Sequence, residues 1–140
     1  MGRGTPPSAP VRAKERASGA LVPWGMLGAL SAGIAVAAGA FGAHALRARV
    51  EPRLLEVFET GARYQMYHAL ALLFVAWLAE RSAGAAVPLA GWAFVLGTVL
   101  FSGSLYAMAL TGRTWLGAVT PLGGVAFLVG WAAVVWAVRR

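Results

Sequence analysis

The 140-residue sequence contains no cysteine and no aspartate, and only 12% of its residues are charged. The missing cysteine excludes disulfides, thiolate metal sites and cysteine nucleophiles together. It says nothing about compartment. The missing aspartate leaves Glu15, Glu51, Glu56, Glu59 and Glu80 as the only side-chain carboxylates. A soluble domain carries about a quarter of its residues as charges. Here the charges are also bunched, leaving uncharged windows of 30 residues after Arg16, 16 after Arg63, 31 after Arg81 and 25 after Arg113. A bilayer span needs about 20 apolar residues. These absences exclude a soluble globular domain, a disordered chain and a secreted disulfide scaffold.

What is present fits a small multi-pass membrane protein. Residues 1–20 hold Pro6, Pro7, Pro10 and the basic Arg3, Arg12, Lys14 and Arg16, which reads as a flexible basic tail. The apolar run that follows is about twice the roughly 7–15 residues of a signal-peptide core, so a removed leader is not the favoured reading. A first span is expected over Leu21–Ala45. Its Gly25, Ala29, Gly33 and Ala37 share one face, with Gly28 and Ala32 on the neighbouring ridge. Small residues at this spacing let helix backbones approach in lipid, so the first helix is expected to be the one the others pack around. The polar stretch from Arg47 to Arg63 reads as a short amphipathic helix on the interface. It begins at Glu51-Pro52, with proline in the first turn. A second, short span is expected over Tyr64–Ala79, starting near Thr60 if Arg63 snorkels. A third covers Val87–Leu110 and a fourth Trp115–Val138. Pro121 followed by Gly123-Gly124 predicts a kink in the fourth. Short loops join antiparallel neighbours. The expected fold is therefore all-α: a four-transmembrane-helix up-down-up-down bundle with a short amphipathic connector helix between helices one and two. The membrane domain is residues 21–140.

Antiparallel spans sort the chain by membrane side. With the N-terminal side as A and the other as B, Trp24, Trp77, Trp92 and Trp136 fall near side A. Tyr64, Tyr67, Tyr106 and Trp115 fall near side B, giving two aromatic belts. The chemically interesting polar residues gather toward B: His44, Arg63, Tyr64, Gln65, His68, Ser102, Ser104, Tyr106 and Thr120. The rise per residue puts His44 and His68 at comparable depth, where they could face each other. Seven Lys and Arg on side A against five on side B place both termini in the cytoplasm, and without the four tail cations the balance reverses.

Four segments carry a resemblance: Gly39-Ala-Phe-Gly-Ala-His44, Arg63-Tyr-Gln-Met-Tyr-His-Ala-Leu-Ala71, Phe101-Ser-Gly-Ser-Leu-Tyr106 and Thr120-Pro-Leu-Gly-Gly124. Over about residues 22–138 the chain resembles the YgdD-like family of small inner-membrane proteins. That resemblance implies a four-helix multi-pass protein of uncharacterised function in the cell (inner) membrane. It brings no catalytic residue and no ligand.

The function classes can be weighed on the residues alone. The net charge of +7 could suggest nucleic acid, but the cations lie in a tail and at span ends, where they meet lipid headgroups. No nucleic acid is expected. A haem held by His44 and His68 is one alternative. A small proton-coupled transporter is another, but it needs an embedded carboxylate, and no glutamate falls within a span core. Enzyme signatures such as Gly-x-Ser-x-Gly, His-Glu-x-x-His and a glycine-rich phosphate loop are absent. The favoured reading is a non-enzymatic lipid- or partner-binding and assembly protein, with no cofactor and no metal. Its partners would be the lipid bilayer and either further copies of itself or another membrane protein. The polar cluster His44, Arg63, Tyr64, Gln65, His68, Ser102, Tyr106 and Thr120 is the candidate site. Arg63, Tyr64 and His68 would face an anionic headgroup, with Arg113 nearby.

Overall fold

The computed structural model describes residues 23–139. The basic tail of residues 1–20 lies outside the described residues. Four helices make up the fold, and no strand occurs among the described residues. Helix α1, Trp24–Phe41, runs on into a π-helical turn, Gly42–Leu46. Helix α2 spans Pro52–Ala79, α3 spans Ala86–Thr111, and α4 spans Thr120–Val138 after a 3₁₀ turn at Thr114–Ala118. Among the described residues three stretches are long and apolar enough to cross a membrane: Trp24–Leu46, Ala86–Thr111 and Thr114–Val138.

Each boundary has a local cause. Pro52 lies in the first turn of α2, where its missing N–H costs nothing. Gly112 ends α3 with φ of 69°, the left-handed conformation that glycine adopts freely, and its N–H caps the carbonyl of Met108 at 2.9 Å. The expected separate connector helix does not form. Its residues are the first turns of α2, because nothing between Phe58 and Tyr64 breaks a helix. Gly61 is there for close approach: a Cβ on it would meet the Tyr106 ring at 3.0 Å. At 28 residues α2 is about 42 Å long, more than a hydrocarbon core of about 30 Å. The expected kink at Pro121 is also replaced. Pro121 falls in the first turn of α4, and the chain turns before it.

Neighbours in sequence pack on one another: α1 on α2, α2 on α3, and α3 on α4. Helix α4 also reaches α2, so α2, α3 and α4 enclose the main core and α1 leans on its side. That core includes Trp24, Leu72, Val75, Phe94, Phe127 and Val134. A smaller cluster of Leu46, Phe58 and Ala109 closes the other end. The middle of the bundle is thus α2 with α3, not α1. Of the small residues on α1, Gly28 is the seat: a Cβ there would meet the Ala69 carbonyl oxygen at 2.9 Å. The Ala29, Gly33 and Ala37 face is exposed instead. Spacing alone presents both ridges as equals. What selects Gly28 is its alignment with Trp24, which is buried against Gly91 of α3.

The closest approach joins α3 to α4. A Cβ on Gly123 would fall on the backbone of Phe101, and one on Gly97 would fall on the Phe127 ring. Gly123→Ala should therefore lower stability in detergent by about 1–3 kcal/mol, the usual cost of overpacking. Gly33→Ala should leave it unchanged, because nothing lies within 4 Å of that position. Thermal unfolding of the two purified variants checks the pair.

Candidate functional site

The polar residues of the helices meet in three groups. Gln65, buried on α2, bridges three helices. Its Nε2 donates to the Ser31 carbonyl oxygen on α1 at 3.1 Å, with the Ser31 Oγ at 3.4 Å. Its Oε1 accepts from the Tyr106 hydroxyl on α3 at 2.8 Å. The Tyr106 ring lies against Phe58 with centroids 4.7 Å apart, so the aromatic body packs while the hydroxyl reaches its partner.

His68 is the second group. Its side chain lies flat on Phe127, with ring centroids 3.4 Å apart and planes 2° apart. Nδ1 is 2.8 Å from the Tyr64 carbonyl oxygen, and the Trp131 indole Nε1 is 3.3 Å from Nε2. A carbonyl only accepts and an indole N–H only donates. The partners therefore specify a neutral ring, with the proton on Nδ1 and a lone pair on Nε2. Both nitrogens are engaged. His44 lies exposed on the π-helical turn, with no side-chain hydrogen bond among the described residues. The expected facing pair of histidines is not formed, and this geometry builds no bis-histidine haem site.

The third group joins the start of α4 to α3. Ser104 and Thr120 hydroxyls are 2.8 Å apart, and Ser104 Oγ donates to the Phe101 carbonyl at 2.9 Å. Thr120 is left to donate to Ser104. Ser102, only 1% exposed, stands apart: its hydroxyl and that of Thr98 have no hydrogen-bond partner among the described residues. Both lie on the Phe94–Tyr106 ridge of α3 at helical spacing of four.

The remaining expected residues face outward. Tyr64 is exposed, with its ring 4.7 Å from that of Phe101 and 6.3 Å from that of His68, and its carbonyl meets His68 Nδ1. Arg63 is exposed on a groove of about 380 Å³ between α1 and α2, with Ala35, Gly39, Glu59, Ala62, Met66 and Tyr67. No group of three or more His, Asp or Glu that could hold a metal occurs among the described residues.

With the geometry in view, comparison with known proteins is informative. A family model described as "Protein of unknown function (DUF423)" matches residues 38–124, more than half of the chain. The chain belongs to this family. It is 50% identical to the UPF0382 membrane protein YwdK of Bacillus subtilis, over 79% of this chain and 90% of that one. A UPF0382 membrane protein of Staphylococcus epidermidis is 46% identical over 82% of this chain and 93% of its own length. No solved structure matches. The chain is thus a membrane protein of an uncharacterised family, and no enzymatic or transport role is described for these relatives.

Four partners were not among the expected site residues: Ser31, Ser104, Phe127 and Trp131. Ser104 shares its half of α3 with the expected Ser102 and Tyr106. Trp131 carried a signal, since it alone among the six tryptophans belongs to neither aromatic belt. Ser31 is the single hydroxyl in an otherwise apolar helix.

The Gln65–Tyr106 bond gives a quantitative test. Tyr106→Phe and Gln65→Leu should each destabilise the protein by about 0.5–2 kcal/mol in micelles, the range of interhelical hydrogen bonds in membranes. The double variant should cost less than the sum, because each single change strands the other partner. Denaturant unfolding of the four forms measures the coupling.

Proposed function

We propose that the protein is a non-enzymatic integral membrane bundle that works by associating with lipid or with another membrane protein. The observation that carries this reading is the pairing of most buried polar side chains with one another, Thr98 and Ser102 excepted. Gln65, His68, Ser104 and Thr120 each meet a partner on another helix. Among the described residues no hydroxyl is paired with a free base, and no carboxylate is buried in the interior for proton exchange. Outside the bundle, α1 and α4 expose Leu30, Ile34, Leu122, Val125, Leu128 and Val135, each more than half accessible, which suits acyl chains or a second apolar protein surface.

In this reading α2 crosses the bilayer as the fourth span. Its length and its packing between α1 and α3 support the crossing. Its charged first turns emerge at side B, with Glu56 and Arg63 exposed. The location is the cell (inner) membrane, as in the YgdD-like proteins the chain resembles. The exposed Arg63 and Tyr67 beside the apolar Ala35, Gly39 and Ala62 offer one place for a headgroup above an acyl chain.

Gentle detergent extraction from native membrane, followed by native mass spectrometry, tests the association. The expected outcome is phospholipid or a membrane protein retained at fixed stoichiometry. A bare monomer under the mildest conditions that keep the helices folded would count against it.

A further inference from the structure

The side-B end carries a second, larger groove, formed where the link between α1 and α2 passes the C-terminal end of α3. Its volume is about 470 Å³. Leu54, Val57, Met108 and Leu110 make its apolar wall, and Arg49 and Arg53 stand at its lip with Glu51. Arg113 follows Gly112, which also lines it. The wall is continuous with the buried cluster of Leu46, Phe58 and Ala109, against which Val50, Leu54 and Val57 pack.

The charges at this lip have no internal use. Arg49, Arg53 and Arg113 are exposed, and none of their side chains makes a hydrogen bond or ion pair with a described residue. The opposite end of the bundle differs. There Arg81 stacks over the Trp77 ring at 4.3 Å, bonds the Trp77 carbonyl at 3.3 Å and lies 3.7 Å from Glu80. The groove at Arg63 has its own carboxylate, Glu59, against its single arginine. The larger groove sets two arginines, with a third adjacent, above an apolar wall and against one carboxylate.

We propose that this groove binds a phospholipid with an anionic headgroup. Arg49 and Arg53 would take the phosphate oxygens, for which the guanidinium fork is suited. The first methylenes of an acyl chain would lie along Leu54, Val57, Met108 and Leu110. The occupant comes from the bilayer itself, because the groove lies at the end of the spans, where headgroups are found. This deepens the lipid-association reading above and rests on it.

The test uses the full chain in mild detergent with equal amounts of phosphatidylglycerol and phosphatidylcholine, read by native mass spectrometry. The wild type should retain phosphatidylglycerol preferentially. The Arg49→Gln/Arg53→Gln variant should lose that preference by about 25-fold, since each cation near an anionic surface is worth roughly a fivefold gain. Arg49→Lys/Arg53→Lys should keep most of it, and Arg81→Gln all of it. A glutamine double variant that still prefers phosphatidylglycerol as the wild type does overturns the groove. Equal retention of both lipids by the wild type also overturns it. Displacement of the lipid by millimolar inorganic phosphate would show a free-anion site instead. A second reading needs no variant: in vesicles of the two lipids, the wild-type preference should fall as salt rises to about 0.5 M, where screening is short-ranged. No fall contradicts the proposal. If lipids are retained but without this selectivity, the groove is wrong and the broader reading stands. If no form retains any lipid or partner, both fail.

Discussion

A polar side chain placed in the hydrocarbon interior has no water to turn to, so its partner must come from the protein. Most of this molecule follows from that constraint. Gln65 ties α1, α2 and α3 through Ser31 and Tyr106. His68 ties α2 to α4 through Trp131 and Phe127. Ser104 and Thr120 tie α3 to α4. Between them, these three groups join every pair of helices that packs closely. Each bond is modest, about 0.6 kcal/mol on average in membranes. Their value lies in fixing which helix meets which, at what depth and in what rotation.

Apolar burial cannot supply that specificity, because lipid is as apolar as the helix surfaces. Close packing takes its place. Gly97 admits Phe127, and Gly123 admits the backbone of Phe101. Bulky rings from one helix thus enter gaps left by glycine on the next, and the ring of Phe127 is the same surface on which His68 lies. Packing and polar pairing meet at one point. An interior closed in this way leaves little room for chemistry, while Arg49, Arg53 and Arg113 stand exposed at the lip of the larger groove without a side-chain partner among the described residues. Function, on this account, belongs to the rim and the outer faces.

Composition and charge spacing made the membrane class and the helical fold legible, since long uncharged windows admit few other structures. The polar residues Gln65, Tyr106 and Thr120 are also visible in the sequence as amide and hydroxyl groups within or beside apolar stretches. Their partners were harder to see. Which of two small-residue ridges on α1 packs is decided by Trp24 reaching α3, a long-range contact that helical spacing does not encode. The connector was read apart from the second span because charge changes at Arg63. The backbone responds to breakers, not to charge, and runs straight through. His44 and His68 share a depth but not a face. One lies exposed on a π-helical turn, and the other is held by two hydrogen bonds and a ring.

The central claim is that Gln65, His68, Ser104 and Thr120 serve as bonds between helices and not as open chemistry. His68 reports on it most directly. Nitrogen-15 NMR of the histidine-labelled protein in bilayers, with His44→Gln leaving one imidazole, reads the protonation of each ring nitrogen. The account predicts a proton on Nδ1, a bare Nε2 and close contact of Nε2 with the Trp131 indole hydrogen. A ring protonated on Nε2 with Nδ1 bare, or one exchanging its proton with water, would contradict it.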